Sequence, residues 1–308
     1  MRTLTCVISY NRPGYLHNLL RSIREFCSWS DVLVLDDGSD HPQLVRDLDE
    51  LARPHSGFAV IRKDRHAAGY HGGLYTLMNE ALDYAGARNY ELLHFVQDDM
   101  QIVWNDPKIL ESVRAIFNAH EDALQVQNVF HKKIAKYALI DNERFELHPE
   151  SNSYHIRPYA ITDTGFLNLE RVHRAGFRYS ETERGTSNKW RTQGFKLYGL
   201  HSPTVGFVPW PTVFQNGKQF GSWPWARPIL KRSERYYLKP LSPGDVARLT
   251  SRPLEDIPFL DDYSVPVGWK CLYPFWFARP SLEYIKLIAD SWKHGDRVIP
   301  RFVGRIDG

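Results

Sequence analysis

The sequence predicts an α/β domain, a sheet with helices packed on its faces. Two observations carry this. Over the first 130 residues short apolar runs alternate with amphipathic stretches, and the intervening apolar spacings are helical. Polar, turn-forming clusters follow each apolar run, as strands that feed crossover helices require.

Strands are expected at Leu4 to Ser9, Val32 to Leu35, Phe58 to Arg62, Leu92 to Val96 and Leu124 to Phe130. Between them, Leu16, Leu19, Leu20, Ile23 and Phe26 mark one helix face. Leu44, Val45, Leu48 and Leu51 mark a second, and Leu74, Leu77, Met78, Ala81 and Leu82 a third. A fourth helix follows Pro107, with Ile109, Leu110, Val113, Ile116 and Phe117 inward. Parallel strands joined by such crossovers place their carboxyl ends on one edge, where open α/β sheets bind ligands. From about Lys132 the pattern loosens, with one helix-like stretch near Thr186 to Gln193, and after Pro209 the chain turns to Trp, Pro, Arg and Lys. The expected organisation is a domain over 1–210, with halves 1–130 and 131–210, and a C-terminal aromatic and basic extension over 211–308.

Composition narrows the function classes. The chain has 308 residues, 43% hydrophobic and 24% charged, and a net charge of +3, which is too small for a molecule-wide nucleic-acid footprint. Cys6, Cys27 and Cys271 lack CxxC spacing, which speaks against a disulfide framework or a structural zinc site and for a reducing cytoplasm. No run approaches 18 apolar residues, and Met1 to Thr5 enters a strand without a charged and apolar leader, so export and membrane spanning are not expected. The aromatic share is 13%, with nine Trp.

The chemistry is expected just after the strands. The first ends in Ser9-Tyr10-Asn11-Arg12-Pro13-Gly14, polar groups where a dinucleotide fold carries spaced glycines; GxGxxG and GxxxxGK[ST] are both absent. The second ends in Asp36-Asp37-Gly38-Ser39-Asp40, carboxylates able to accept from a base or ribose, or an Asx turn entering a helix. The third leads through Arg62, Lys63, Arg65 and His66 to Gly69, Gly72 and Gly73, cations and small residues that suit a diphosphate at a helix start, or a structural basic loop. The fourth ends in Gln97-Asp98-Asp99. Adjacent carboxylates repel unless a cation or donors intervene, and Mg²⁺ or Mn²⁺ held with diphosphate oxygens would resolve that; a helix-capping Asp beside a solvated one is the alternative.

TCVISYNRP, VLVLDDGSD and HFVQDDMQI, in this order, resemble the nucleotide-sugar half of family 2 glycosyltransferases with the GT-A fold, over about residues 3 to 210. The resemblance implies transfer from a nucleotide diphosphate sugar, UDP-sugars favoured, to a glycan or lipid-linked acceptor, as in polysaccharide biosynthesis. It implies nucleotide-sugar contacts at Ser9, Tyr10, Asn11, Arg12, Asp36 and Asp37, with Arg65, Gly69, Gln97 and Asp98 alongside. The family's DxD metal motif falls on Gln97-Asp98-Asp99, so Asp99 becomes the expected ligand for Mn²⁺ or Mg²⁺, with His201 a candidate further ligand. Thr162-Asp163-Thr164-Gly165-Phe166-Leu167 resembles the acceptor strand, which implies acceptor contacts at Asp163, Gly165 and Phe166. Gly194-Phe195-Lys196 resembles the closing segment, and counting eleven residues back reaches Glu183, the expected base, with Glu181 its rival. The family's acidic pair here reads Thr182-Glu183.

Between Trp210 and Pro240 six cations, Lys218, Arg227, Lys231, Arg232, Arg235 and Lys239, face one acid, Glu234, among Trp223, Trp225, Tyr236 and Tyr237. This stretch suits a sugar acceptor, an anionic membrane surface carrying a lipid-linked acceptor, or packing and oligomer contact. A peripheral place at the inner face of the membrane follows from the second. Two other functions fit parts of the pattern: a sugar-phosphate nucleotidyltransferase, which lacks its glycine- and arginine-rich loop here, and a non-catalytic nucleotide-sugar or glycan-binding subunit, favoured by Gln97 and Thr182 standing where acids are expected.

Overall fold

The computed structural model describes residues 2–54, 57–64, 73–131, 145–180, 182–208, 214–215, 218–219, 237–264 and 266–267. The expected strands are present as β1 (Thr3–Ser9), β2 (Asp31–Asp36), β3 (Ala59–Arg62), β4 (Leu92–Gln97) and, after the short β5 (Met100–Ile102), β6 (Ala123–Gln127). The helices between them are α1 (Pro13–Phe26), α2 (Pro42–Leu51), α3 (Leu74–Ala87) and α4 (Ile109–Ala119). Pro13 and Pro42 each open a helix, where a missing N–H costs nothing.

The second half adds β7 (Phe145–His148), β8 (Ser153–Ile156), β9 (Gly165–Asn168), α5 (Leu169–Ala175), α6 (Glu183–Arg191), β10 (Lys196–Leu200) and β11 (Val205–Phe207). The main sheet has nine strands in the order β3-β2-β1-β4-β9-β6-β10-β8-β7. β1 to β4 run parallel, and β9 enters antiparallel between β4 and β6. That insertion makes the sheet mixed, and it carries the segment before β9 to the carboxyl ends of β1 and β4. Gly165, at φ +111, opens β9; a Cβ there would stand 2.6 Å from the Val126 carbonyl oxygen, so only glycine fits.

The strands bury both faces, which is why they read as continuous apolar runs. Leu4, Cys6, Ile8, Leu33, Leu35, Leu93 and Phe95 pack beneath α3, α5 and α6; Val7, Val32, Val34 and Val96 pack beneath α1 and α2. α4 covers Leu92, Val126, Phe166 and Tyr198. His94 lies in this interior, stacked on Phe166 at 4.2 Å, and burial pushes its pKa down to about 3, so it is neutral.

Described residues beyond 236 pack against the first half of the chain. Tyr237–Leu238 is a short strand, and Gln101 holds it by donating to the Leu238 carbonyl at 2.8 Å while accepting from the Leu238 N–H at 2.7 Å. α7 (Pro243–Ser251) starts at a capping box made by Ser242 and Asp245. Its Leu249, with Leu238 and Leu260, packs against Tyr15, Val103, Trp104 and Phe130. Among the described residues no helix is long and apolar enough to cross a membrane.

Candidate active site

The loops after β1, β2 and β4 meet at the carboxyl edge and are tied side chain to backbone. Asn11, in the left-handed region at φ 52, works as a clasp. Its Oδ1 accepts from the N–H groups of Asp40 and His41, both at 3.0 Å, and its Nδ2 donates to Asp40 Oδ1 at 2.8 Å. Asn is among the few residues that tolerate this backbone geometry, and its amide can serve donors and an acceptor together. Asn11 N–H also donates to Ser39 Oγ at 2.9 Å, so the first and second loops form one unit.

Beneath them, Asp36 is fully buried and accepts from the backbone and hydroxyl of Ser39, with Arg62 Nε 4.0 Å away. Burial raises its pKa, against those hydrogen bonds and Arg62. Asp37 Oδ2 accepts from Gly73 N–H at 2.8 Å, at the start of α3. A Cβ on Gly73 would stand 2.1 Å from Asp37 Oδ1, so a larger residue would have to displace the carboxylate that accepts from the Gly73 N–H. Both acids are therefore held within the carboxyl edge. Ser9 is buried, and its hydroxyl has no partner among the described residues.

Arg12 reaches across to the turn after β4. Its Nη1 stands 2.6 Å from Asp98 Oδ1 and 3.6 Å from Asp99 Oδ2. Tyr10 N–H donates to Asp98 Oδ2 at 3.2 Å. Asp98 is buried, and desolvation with Asp99 nearby holds its pKa up at about 6 in spite of Arg12. Asp99 differs: its carboxylate is partly exposed, while its carbonyl accepts from Val208 N–H at 2.8 Å. Asp98 is thus a buried anchor and Asp99 the carboxylate that can meet a ligand.

The second half closes on this edge through Gln97, whose Nε2 donates to the Asp163 carbonyl at 3.0 Å. A carboxylate could not make this bond, which gives a physical reason for Gln where the resembled family has an acid. Beyond it, the buried Tyr75 phenol meets the backbone of Glu183. Burial and the charges of Asp163 and Glu183 push the Tyr75 pKa up. The same two carboxylates act on Tyr179, so Asp163 and Glu183 share one neighbourhood. Glu183 is half-buried in the first turn of α6, and Thr182 caps that helix by accepting from Gly185 N–H at 3.0 Å. Thr182, in the acid's place, is therefore a helix cap.

Three sequence expectations meet a different environment. Phe166 is wholly buried against His94 and Trp29, so it fills the core beneath α4 where an acceptor contact was expected. Gly165 is buried against Val126 and serves the backbone approach. His201 has both ring nitrogens in hydrogen bonds, Nδ1 with Ser202 Oγ and Nε2 with the Arg252 carbonyl, each at 3.0 Å, which a metal role would have to break. Arg65, Gly69 and Glu181 lie outside the described residues, as does most of the basic stretch. Tyr75 and Tyr179, beside Asp163 and Glu183, carry no signal in the sequence pattern, whereas Gly73 closes the glycine-bearing loop ahead of α3.

No family model matches the chain, and no curated protein sequence does. Among solved structures it is similar to S. aureus TarS 1-349, with a TM-score of 0.46 and 17% identity over 67% of this chain and 60% of that one. The same protein in complex with UDP-GlcNAc gives 0.45 and 16%, over 67% and 58%. The chain therefore spans less than two thirds of the TarS 1-349 chain. A mannosyltransferase from Pyrobaculum calidifontis, in complex with GDP-Man and Mn2+, gives 0.44 and 15%, over 96% and 80%.

Proposed function

We propose that this chain is a nucleotide-sugar-binding α/β enzyme, and within that class a glycosyltransferase that moves a sugar, with inversion, to a hydroxyl of a glycan or lipid-linked glycan. The observation that carries the reading is the joining of Asn11, Arg12 and Asp98 into one polar surface, with Gln97 bringing Asp163 and its neighbour Glu183 up to it. Donor and acceptor sides thereby share one cleft.

In this reading the nucleoside rests on the loops held by Asn11 and Asp37, and the diphosphate lies by Arg12. A hard divalent ion fits the donor set, because Mg²⁺ and Mn²⁺ are held by one or two carboxylates plus phosphate oxygens and Asp99 offers a part-exposed carboxylate. Bound there, it would supply positive charge against the charge growing on the leaving diphosphate. Arg12 adds a fixed cation on the same side. Glu183 takes the proton of the acceptor hydroxyl as its oxygen bonds to the anomeric carbon and the bond from that carbon to the diphosphate oxygen breaks. Glu181 remains the rival for this role. Asp163 holds the acceptor side in register through its carbonyl, which orients the hydroxyl as the nucleophile.

The test is nucleoside diphosphate release from a panel of nucleotide sugars, with and without Mn²⁺ and with glycan acceptors. Acceptor-stimulated release supports the transferase. Binding without any release favours the non-catalytic subunit, and no binding removes both readings.

A further inference from the structure

A second polar cluster lies outside the cleft, on the far side of the sheet order from β4, between the end of α4 and the β7–β8 hairpin. His120, His148 and Glu150 each offer one ligand atom there, all within 4.8 Å of one another. His120 Nε2 stands 3.6 Å from Glu150 Oε1, and His148 Nδ1 stands 3.2 Å from the same oxygen. Two ligands held about 2.1 Å from a tetrahedral ion are about 3.4 Å apart, so both separations match the edges of one zinc coordination tetrahedron.

The hydrogen bonding of a neutral His148 is compatible with a ligand role. If its Nδ1 carries the proton and donates to Glu150, its Nε2 is a buried acceptor with no hydrogen-bond partner among the described residues. If Nε2 carries the proton, it points toward Glu146 Oε1, 4.0 Å away, and Nδ1 and Glu150 Oε1 face each other lone pair to lone pair. A cation between them resolves the second arrangement and leaves Nε2–H directed at a carboxylate, as metal-bound histidines commonly are. His120 Nε2 now meets Ser151 Oγ at 2.9 Å, and that hydroxyl has Ser153 Oγ at 2.8 Å as another partner. Releasing His120 to an ion therefore strands nothing.

We propose that His120, His148 and Glu150 bind Zn²⁺, with water completing the tetrahedron, and that the ion pins the β7–β8 hairpin to the end of α4. Two imidazoles and one carboxylate suit Zn²⁺ better than Mg²⁺ or Mn²⁺, which prefer all-oxygen sites. The site is separate from the Asp99 position and does not depend on the chain's being a transferase.

The full chain, stripped with a chelator, is titrated calorimetrically with Zn²⁺, and with Co²⁺ followed by visible absorption. One equivalent of Zn²⁺ should bind, Co²⁺ should give the intense bands of a tetrahedral site, and the melting temperature should rise with Zn²⁺. Glu150→Ala, at an exposed position, should weaken Zn²⁺ by at least about tenfold. His148→Gln should abolish binding, and Asp99→Asn should leave it intact. Absence of Zn²⁺ binding overturns the proposal, as does binding that both Glu150→Ala and His148→Gln leave unchanged.

Discussion

Arg12 Nη1 stands 2.6 Å from Asp98 Oδ1, and the same nitrogen stands 3.6 Å from Asp99 Oδ2. One guanidinium therefore faces both carboxylates after β4, the buried Asp98 and the part-exposed Asp99.

Arg12→Met should cost about 3 to 5 kcal/mol at pH 8, since it leaves Asp98 buried without its cation. The Asp98 pKa, already raised to about 6, should rise further. A raised folded-state pKa means that the folded state holds the proton more tightly, so this group's contribution is present at low pH and lost as pH climbs through the folded value. The variant should therefore lie closer to wild type at pH 5 than at pH 8. Denaturant melts at the two values measure this, and an equal loss at both would contradict it.

Gly73→Ala should destabilise the protein by about 1 to 3 kcal/mol, because its Cβ would stand 2.1 Å from Asp37 Oδ1. Combined with Asp37→Ser, which removes the obstructing oxygen, the loss should be smaller than the sum of the two single changes. A double-mutant cycle in urea gives the coupling.

Asn11→Ala removes the clasp on Asp40 and His41 and places alanine at φ 52. Asn11→Asp keeps the acceptor but loses the donor and sets a carboxylate against Asp40. Donor affinity by calorimetry should fall in both variants, with about 1 to 3 kcal/mol of stability lost in the alanine variant.

Glu183→Gln should lower kcat at least about a hundredfold while nucleotide-sugar affinity is kept. Its melting temperature should shift little, because Thr182 continues to cap α6. Near-normal turnover would move the base to Glu181 or elsewhere.

The parallel half was legible because strands buried on both faces, such as Cys6 to Ile8 and Val32 to Leu35, are apolar without interruption and are separated by helical spacings. The place of β9 was not: periodicity reports an element's type, and nothing in Gly165 to Asn168 states that it runs antiparallel between β4 and β6. Phe166 reads as a ligand contact from its motif, and burial on the α4 side follows only from that strand's position. Asn11 stood out by place, but its role needs a partner loop 29 residues away. His120 and His148 lie in unrelated segments, and only the hairpin brings them together. α7 has a start readable in sequence, Ser242 followed three residues later by Asp245.

The central claim is that the carboxyl edge of β1, β2 and β4 binds a nucleoside diphosphate sugar. Calorimetric titration of UDP-sugars and other nucleotide sugars, with Mn²⁺ present, into wild type and Asp99→Asn tests it most directly. One site per chain is expected for at least one donor in wild type, with metal-dependent affinity lost in the variant. No binding by any donor, or binding that Asp99→Asn leaves unchanged, would contradict it.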